Sequence, residues 1–388
     1  MKIIPIQAMN SEIRMKYEQY VEKYRNTSPQ INRLKSALNQ IQDDEFFFTS
    51  NRSTFSTEEI LFIDNLLHTY NASMDDKERA EIFQEQIDRQ DEAMGDFFSK
   101  YTVLVFDSEK RKSIGEQDRQ KRICRFCKNG MHTEVKVTFN KKAHAFSEAL
   151  GNKSVILNEE CDGCNEKFGI TIEEDFIAYL DIYRVFYQVQ GKNGIPKLKY
   201  KNGGMVTSID GKIKIQSQNI EHDEETGNTS ILLESHQTIK SVNIYKTLCK
   251  YILSTINEET LAYLQNTIQW ITSKETEYIQ LPKVGRMMNH KMFAETPMLA
   301  IYIRKDDDST YPHIVGEFKF KSLIFVFIVP FSEKDEVNFT DKKEYEVFWS
   351  TFKHYSAVPT WSFQDFSFIE AKKLQFNINF QQGKEKSH

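Results

Sequence analysis

The chain has 388 residues, too many for one ordinary core, and points to two or three domains. Hydrophobic residues at 39 % and aromatics at 13 %, with 29 Phe and 17 Tyr, exclude a largely disordered chain. The net charge of −5 argues weakly against a polyanionic partner, but the charges are unevenly spread: between Lys110 and Lys142 eleven Lys or Arg face three carboxylates, a local balance of +8, and six Lys between Lys192 and Lys214 face Asp210 alone. Such clusters are the electrostatic footprint of phosphate-backbone binding, although a charge run by itself is more often a solvated face.

The opening residues, MKIIPIQAMNSEIRMKYEQ, break their apolar run at Pro5 and Gln7. The longest apolar run, Leu323–Phe331, is far shorter than the roughly twenty residues of a membrane helix. A soluble, cytoplasmic protein with no membrane partner is expected. In that reducing compartment the five cysteines should not form disulfides; four pair off as CxxC units, and Cys249 reads as a buried core thiol.

In chain order, residues 1–118 read as helical. Ser28-Pro29 offers an N-cap with proline at the first helical position, and Ser56-x-x-Glu59 has capping-box spacing. Apolar positions in Glu59–Tyr70 and Ala80–Phe98 recur at nearly 3.6 residues, the period of amphipathic helices. Val135–Phe139 (VKVTF) alternates like a strand, and the chain from Asp162 turns helix-like, so a two-stranded ribbon followed by a helix is expected around the cysteines. Glycines 191, 194, 203, 204 and 211 and the acidic stretch Glu221–Thr229 read as turns and a surface loop. Helices over Ile239–Leu253 and Glu258–Thr272 precede strands over Met298–Ile303, Ile314–Phe320, Leu323–Val329 and Leu374–Phe380. The fold class is therefore α+β multidomain.

Cys124-x2-Cys127 and Cys161-x2-Cys164 are separated by 33 residues. Each CxxC places two thiolates on one tight turn, and two such knuckles complete a closed tetrahedral zinc site. Such a site leaves no position open for water, so its role is structural. Two redox CxxC pairs are the competing reading, but no thioredoxin-like βαβ pattern surrounds them.

The segment His144-Ala-Phe-Ser-Glu148-Ala-Leu150-Gly151-Asn152-Lys153, followed by Cys161-x-x-Cys164-Asn165-x-x-Phe168-Gly169, resembles the HNH (ββα-metal) nuclease family, in the branch with paired zinc knuckles. The resemblance covers Arg119–Leu180, about 60 residues. It implies that His144, ending the first strand, is the general base on a water. A middle asparagine would hold the loop that orients it; Asn158 is favoured by its place before the second knuckle, and Asn152 is the alternative. Asn165, at the helix start, would bind a catalytic Mg2+ or Mn2+, apart from the structural Zn2+ on Cys124, Cys127, Cys161 and Cys164. Ala143 stands where many relatives carry Asp or Glu as a second ligand, so Glu148 is the first candidate to complete the site, with Glu173 and Glu174 in reserve. Ser147 replaces the family's proline.

The chemistry is coherent: phosphodiester hydrolysis needs a deprotonated water and a cation against the charge developing on phosphate. Plainer readings accompany each assignment. Asn165 could be only a helix cap, Glu148 only a solvated charge, and the lysines only solvated.

Periodicity and the resemblance together give three segments: a helical region (1–118), a zinc-stapled HNH module (119–185), which the resemblance supplies, and an α+β recognition or sensor domain (190–388). The expected activity is metal-dependent endonucleolytic cleavage of DNA, with RNA also open, and Lys121, Arg122, Arg125, Lys141, Lys142 and Lys153 on the backbone. Proteins of similar layout are associated with restriction or anti-phage defence, which adds a homo-oligomer or accessory defence proteins to the expected partners. The alternatives are a non-catalytic zinc module that binds nucleic acid or protein, and a scaffold that oligomerises through its helical region.

Overall fold

The computed structural model describes residues 6–24, 29–50, 57–108, 111–209, 211–223, 228–274, 277–289, 294–352 and 360–381. Ser28, Ser56, Lys110, Asp210 and the centre of the acidic stretch, 224–227, lie outside the described residues. The architecture is mixed α+β with several sheets. Among the described residues no helix is long and apolar enough to cross a membrane.

The chain divides into two compact units that interleave in sequence, a division that differs from the three successive segments expected above. The first unit comprises Met1–Val105, Gly285–Ile328 and Lys334–Phe363. Its helices are Ser11–Tyr24, Pro29–Leu38, Thr57–Ala72, Asp76–Lys100 and Lys342–Thr351. Asp75 caps the fourth of its helical segments in chain order by accepting from the backbone N–H of Lys77 and Glu78, and Tyr101 ends that helix in extended backbone. The expected helical region is therefore interrupted by an antiparallel strand pair, Ile6–Ala8 with Phe46–Phe48, and stops at Lys100. The chain continues as strand Tyr101–Asp107, the edge of a six-stranded sheet whose order continues with Ala294–Arg304, Ile314–Lys321, Leu323–Ile328, Val284–Met288 and Ser362–Gln364. Every residue of Ile314–Lys321 and Leu323–Ile328 is buried, as strands covered on both faces require. Phe97 sits at the centre of the core, with ring centroids 5.2 Å from Tyr101, 5.1 Å from Tyr302 and 4.8 Å from Phe352.

The second unit comprises Phe106–Val284, Val329–Glu333 and Gln364–His388. At its centre the helix Ser241–Leu253 is buried at every position from Ile244 to Leu253; we call it the platform helix. Against it pack the helices Glu173–Phe186 and Gln265–Thr272, and the helices Asp162–Thr171 and Glu258–Ala262 belong to the same unit. A small sheet joins Lys112–Ile114, Val155–Leu157 and Ala143–His144 in that order, the first pair parallel and the second antiparallel. Two further antiparallel sheets order Leu198–Lys199, Met205–Ile209 and Lys212–Gln216, and Ile220–Asp223, Asn228–Lys240 and Ala371–Gln381.

Val135–Phe139 is not a strand. The Asp162 carboxylate accepts from the backbone N–H of Asn140 and Lys141 and from Thr138 Oγ1, so a side chain supplies acceptors that a ladder would otherwise provide. The two strands ahead of the second knuckle are instead the two-residue Ala143–His144 and its antiparallel partner Val155–Leu157. The acidic stretch is likewise less of a loop than expected, since residues 221–223 and 228–229 are paired strand.

Truncating Phe97 to Ala should destabilise the first unit by about 3–5 kcal/mol, the range for a large aromatic lost from a packed core. Fluorescence of Trp349 and Trp361 would report it as a lower urea midpoint; an unchanged midpoint would contradict the core position.

Candidate metal centre and hydrolytic site

The first knuckle is a tight backbone turn. Cys124 N–H donates to Asn129 O at 2.8 Å, and Lys128 N–H donates to Cys124 O at 2.9 Å with Lys128 in the left-handed region. Gly130 closes the turn where a Cβ would come within 2.9 Å of Arg122 O, an approach only glycine permits. The second knuckle opens the helix Asp162–Thr171: Cys161 is its N-cap, and its Sγ accepts from Cys164 N–H at 3.4 Å. The Cys161 N–H in turn points at Cys124 Sγ, 3.5 Å away. Phe126 packs edge-on against Phe168 at 4.8 Å, joining the first knuckle to that helix.

These turns bring the four thiols together. The Sγ atoms of Cys124, Cys127, Cys161 and Cys164 all lie within 4.8 Å of one another, and Cys127 and Cys161 are 3.8 Å apart. A tetrahedron with Zn–S bonds of about 2.3 Å has edges of about 3.8 Å, so donor set and spacing suit a metal such as zinc. Without a cation the cluster is in conflict. A hydrogen bond from Cys164 leads the effects that hold Cys124 down to about 5, against its burial, while burial pushes Cys161 up to about 12. The Cys124 bond and burial push Cys164 up as well. A divalent cation relieves this conflict by stabilising all four thiolates.

His144 lies at the end of its two-residue strand, with its side chain 18 % exposed and Nδ1 3.9 Å from Glu148 Oε2. Burial holds the imidazole below its usual pKa; Glu148 and Glu173 oppose this, and Lys250 and Lys142 reinforce it. Glu148 opens the 3-10 turn Glu148–Leu150, capped by Ser147, whose hydroxyl accepts from Ala149 N–H. The turn ends on Gly151 at φ 95°, a conformation glycine adopts at little cost.

The loop between the His144 strand and Val155–Leu157 is bridged by Asn152, which is fully buried. Its Nδ2 donates to Phe146 O at 2.7 Å and Val155 O at 3.0 Å, and its Oδ1 accepts from Val155 N–H, Ser154 N–H and Ser108 Oγ. The loop-holding geometry therefore belongs to Asn152, whereas the favoured Asn158 keeps its Nδ2 buried with no hydrogen-bond partner among the described residues. Asn165 is half-buried in the first turn of its helix and makes no side-chain hydrogen bond among the described residues; Cys161, not Asn165, is the cap. Glu174 is exposed and accepts from Gln237 Nε2.

Beneath His144 lies a group the sequence did not reveal. Lys250, on the platform helix and 1 % exposed, donates to His144 O at 3.3 Å and pairs with Glu160 at 3.1 Å and Glu173 at 3.0 Å. Burial disfavours the Lys250 ammonium, but the two carboxylates outweigh it and hold its pKa above the usual value. One ammonium neutralises one carboxylate, and burial pushes the more deeply buried Glu160 up to about 7. The signal available in sequence was two lysines, Lys246 and Lys250, inside a mostly apolar helix.

The basic residues divide. Arg125 is a correction: it is 6 % exposed, with Nε on Glu159 Oε2 at 2.8 Å and one terminal nitrogen on the carbonyls of Leu253 and Ile256, so it supports the end of the platform helix and cannot reach a phosphate. Arg122 holds the carbonyls of Glu116 and Gln117. Lys121 lies 3.7 Å from Asp118, and Lys141 pairs with Glu166 at 3.0 Å. Lys142 and Lys153 are exposed and have no ion-pair partner among the described residues.

Among the described residues, the four cysteines are the group of three or more His, Cys, Asp or Glu side chains whose ligand atoms converge. His144 and Glu148 make a pair without a third such ligand among the described residues. Comparison with models of known protein families, with curated proteins and with solved structures finds no match.

Cys161→Ser should abolish metal binding by the cysteine cluster and collapse the turn-and-helix element around it, because structural metal binding contributes folding free energy directly. Metal content by elemental analysis and circular dichroism would report this; a variant that kept both would contradict the structural role.

Proposed function

We propose that this protein is a zinc-stapled endonuclease of HNH type that hydrolyses phosphodiester bonds in DNA, with His144 as general base. The observation that carries this reading is the His144–Glu148 pair, an imidazole held neutral by burial 3.9 Å from a carboxylate. A neutral imidazole can take a proton from water at physiological pH. With Nδ1 toward Glu148, Nε2 is the nitrogen left for that water, and the carboxylate stabilises the imidazolium that forms.

Asn165 and Glu148 offer oxygen ligands of the hard type that Mg2+ or Mn2+ prefers, and such ions keep several waters and bind through few protein oxygens plus substrate phosphate. When bound, that cation would neutralise the charge developing on the phosphate. Lys142 and Lys153, exposed and without an ion-pair partner among the described residues, are proposed to hold the DNA backbone. The defence setting rests on the same resemblance and is proposed with it.

One observation favours a second reading, a non-catalytic zinc module that binds nucleic acid or protein: no third His, Cys, Asp or Glu ligand converges with His144 and Glu148 among the described residues.

Incubation with supercoiled plasmid and Mg2+ or Mn2+ separates the two. The nuclease reading expects nicking or linearisation that EDTA stops and that His144→Ala reduces by about 10²–10⁴-fold, the usual range for a general base. Salt-sensitive DNA binding without cleavage would favour the binding module.

Protonating His144 removes the base, so kcat/KM should fall as pH drops through a value below 6.5, the ordinary value for histidine. An acid limb centred above 6.5 would contradict the assignment.

A further inference from the structure

We propose that Lys250 is a positioning residue for His144, an inference that rests on the hydrolytic reading above. Its side chain is 1 % exposed, so it touches neither substrate nor solvent and acts only through what it holds. Three segments meet on its ammonium: the carbonyl of His144, the carboxylate of Glu160 directly before the zinc-knuckle Cys161, and the carboxylate of Glu173 at the start of the next helix.

The strand that carries His144 needs such support. It is two residues long, and its ladder register is limited to Ala143 opposite Leu157 and His144 opposite Ile156. Beyond it, Ala145 N–H donates to Val155 O, and Asn152 bridges the loop that follows. On the other side the charged hydrogen bond from Lys250 fixes the carbonyl of the base itself.

A simpler use of the position would be apolar. The platform helix is buried around Lys250, and a methionine of similar length would pack there without the cost of desolvating an ammonium. Burying a charge between two carboxylates instead fixes one geometry, because each partner must stay on the ammonium or be left unpaired. Lys250 and Glu173 also act on the His144 imidazole in opposite senses, so their charges bear on the base as well as its backbone.

Lys250→Met alone would leave two buried carboxylates without a cation, so loss of folding there is uninformative. The test is K250M/E160Q/E173Q, which removes the whole charge set; if it does not fold, K250M/E160Q replaces it, leaving only the less buried Glu173. The expected variant keeps its metal content and circular dichroism, loses about a hundredfold in kcat with KM within about twofold, and shifts the His144 ring resonance, identified by its absence in H144A. The other eight histidines should not move. A folded variant with wild-type kcat and an unmoved His144 resonance overturns the proposal. If the wild-type protein itself does not cleave, the nuclease reading falls, and the His144 resonance alone decides: unmoved, it overturns the role of Lys250, and moved, it upholds it.

Discussion

Four thiols packed within 4.8 Å of one another impose the constraint on which the second unit's candidate site depends. As thiolates they repel, as thiols they bond weakly, and a tetrahedral cation satisfies all four. The second knuckle is also a helix start: Cys161 caps Asp162–Thr171, which fixes where Asn165 sits, and Asp162 gathers the backbone of Asn140 and Lys141 ahead of His144. The first knuckle carries Arg125, which ties it to the carbonyls of Leu253 and Ile256. The cysteine cluster, the segment ahead of His144 and the platform helix are thus joined through named side chains.

The platform helix gives the second unit its unity. Lys250 and Tyr251 of that helix reach the segments on either side of the knuckle: Lys250 at Glu160, Glu173 and His144, and Tyr251 through ring contacts of 6.0 Å with Phe146 and 6.2 Å with Phe176. Residues 241–253, expected to belong to a separate recognition domain, instead form the floor beneath the candidate site. A small ββα element that cannot bury enough apolar surface alone is completed by a helix from later in the chain.

Much of this was legible in the sequence, for identifiable reasons. The cysteine spacing announced the cluster because four ligands on two tight turns have few other uses. The 3.6-residue period of Glu59–Tyr70 became helix, and the unbroken apolar run Leu323–Val329 became a strand that is buried throughout over Leu323–Ile328. What could not be read depended on partners distant in the chain. Val135–Phe139 alternates like a strand, yet the segment it enters is held by the Asp162 carboxylate. Arg125 looked like a phosphate contact because no local pattern shows that Glu159 and two helix-end carbonyls await it. Asn158 was favoured over Asn152 by its place before the second knuckle, and only the folded loop shows that Asn152 is the one that bridges it. The helix carrying Lys250 was expected, but the role of its lysine needed Glu160 and Glu173 in place.

The proposed hydrolysis requires an activated water to attack phosphorus, and the fate of that water's oxygen records the attack. DNA would be cleaved in ¹⁸O-labelled water with Mg2+ or Mn2+ and the terminal phosphates of the products weighed by mass spectrometry. The account predicts one solvent oxygen per broken bond. Cleavage without solvent oxygen, or DNA left intact by the metal-loaded protein at stoichiometric concentration, would contradict it.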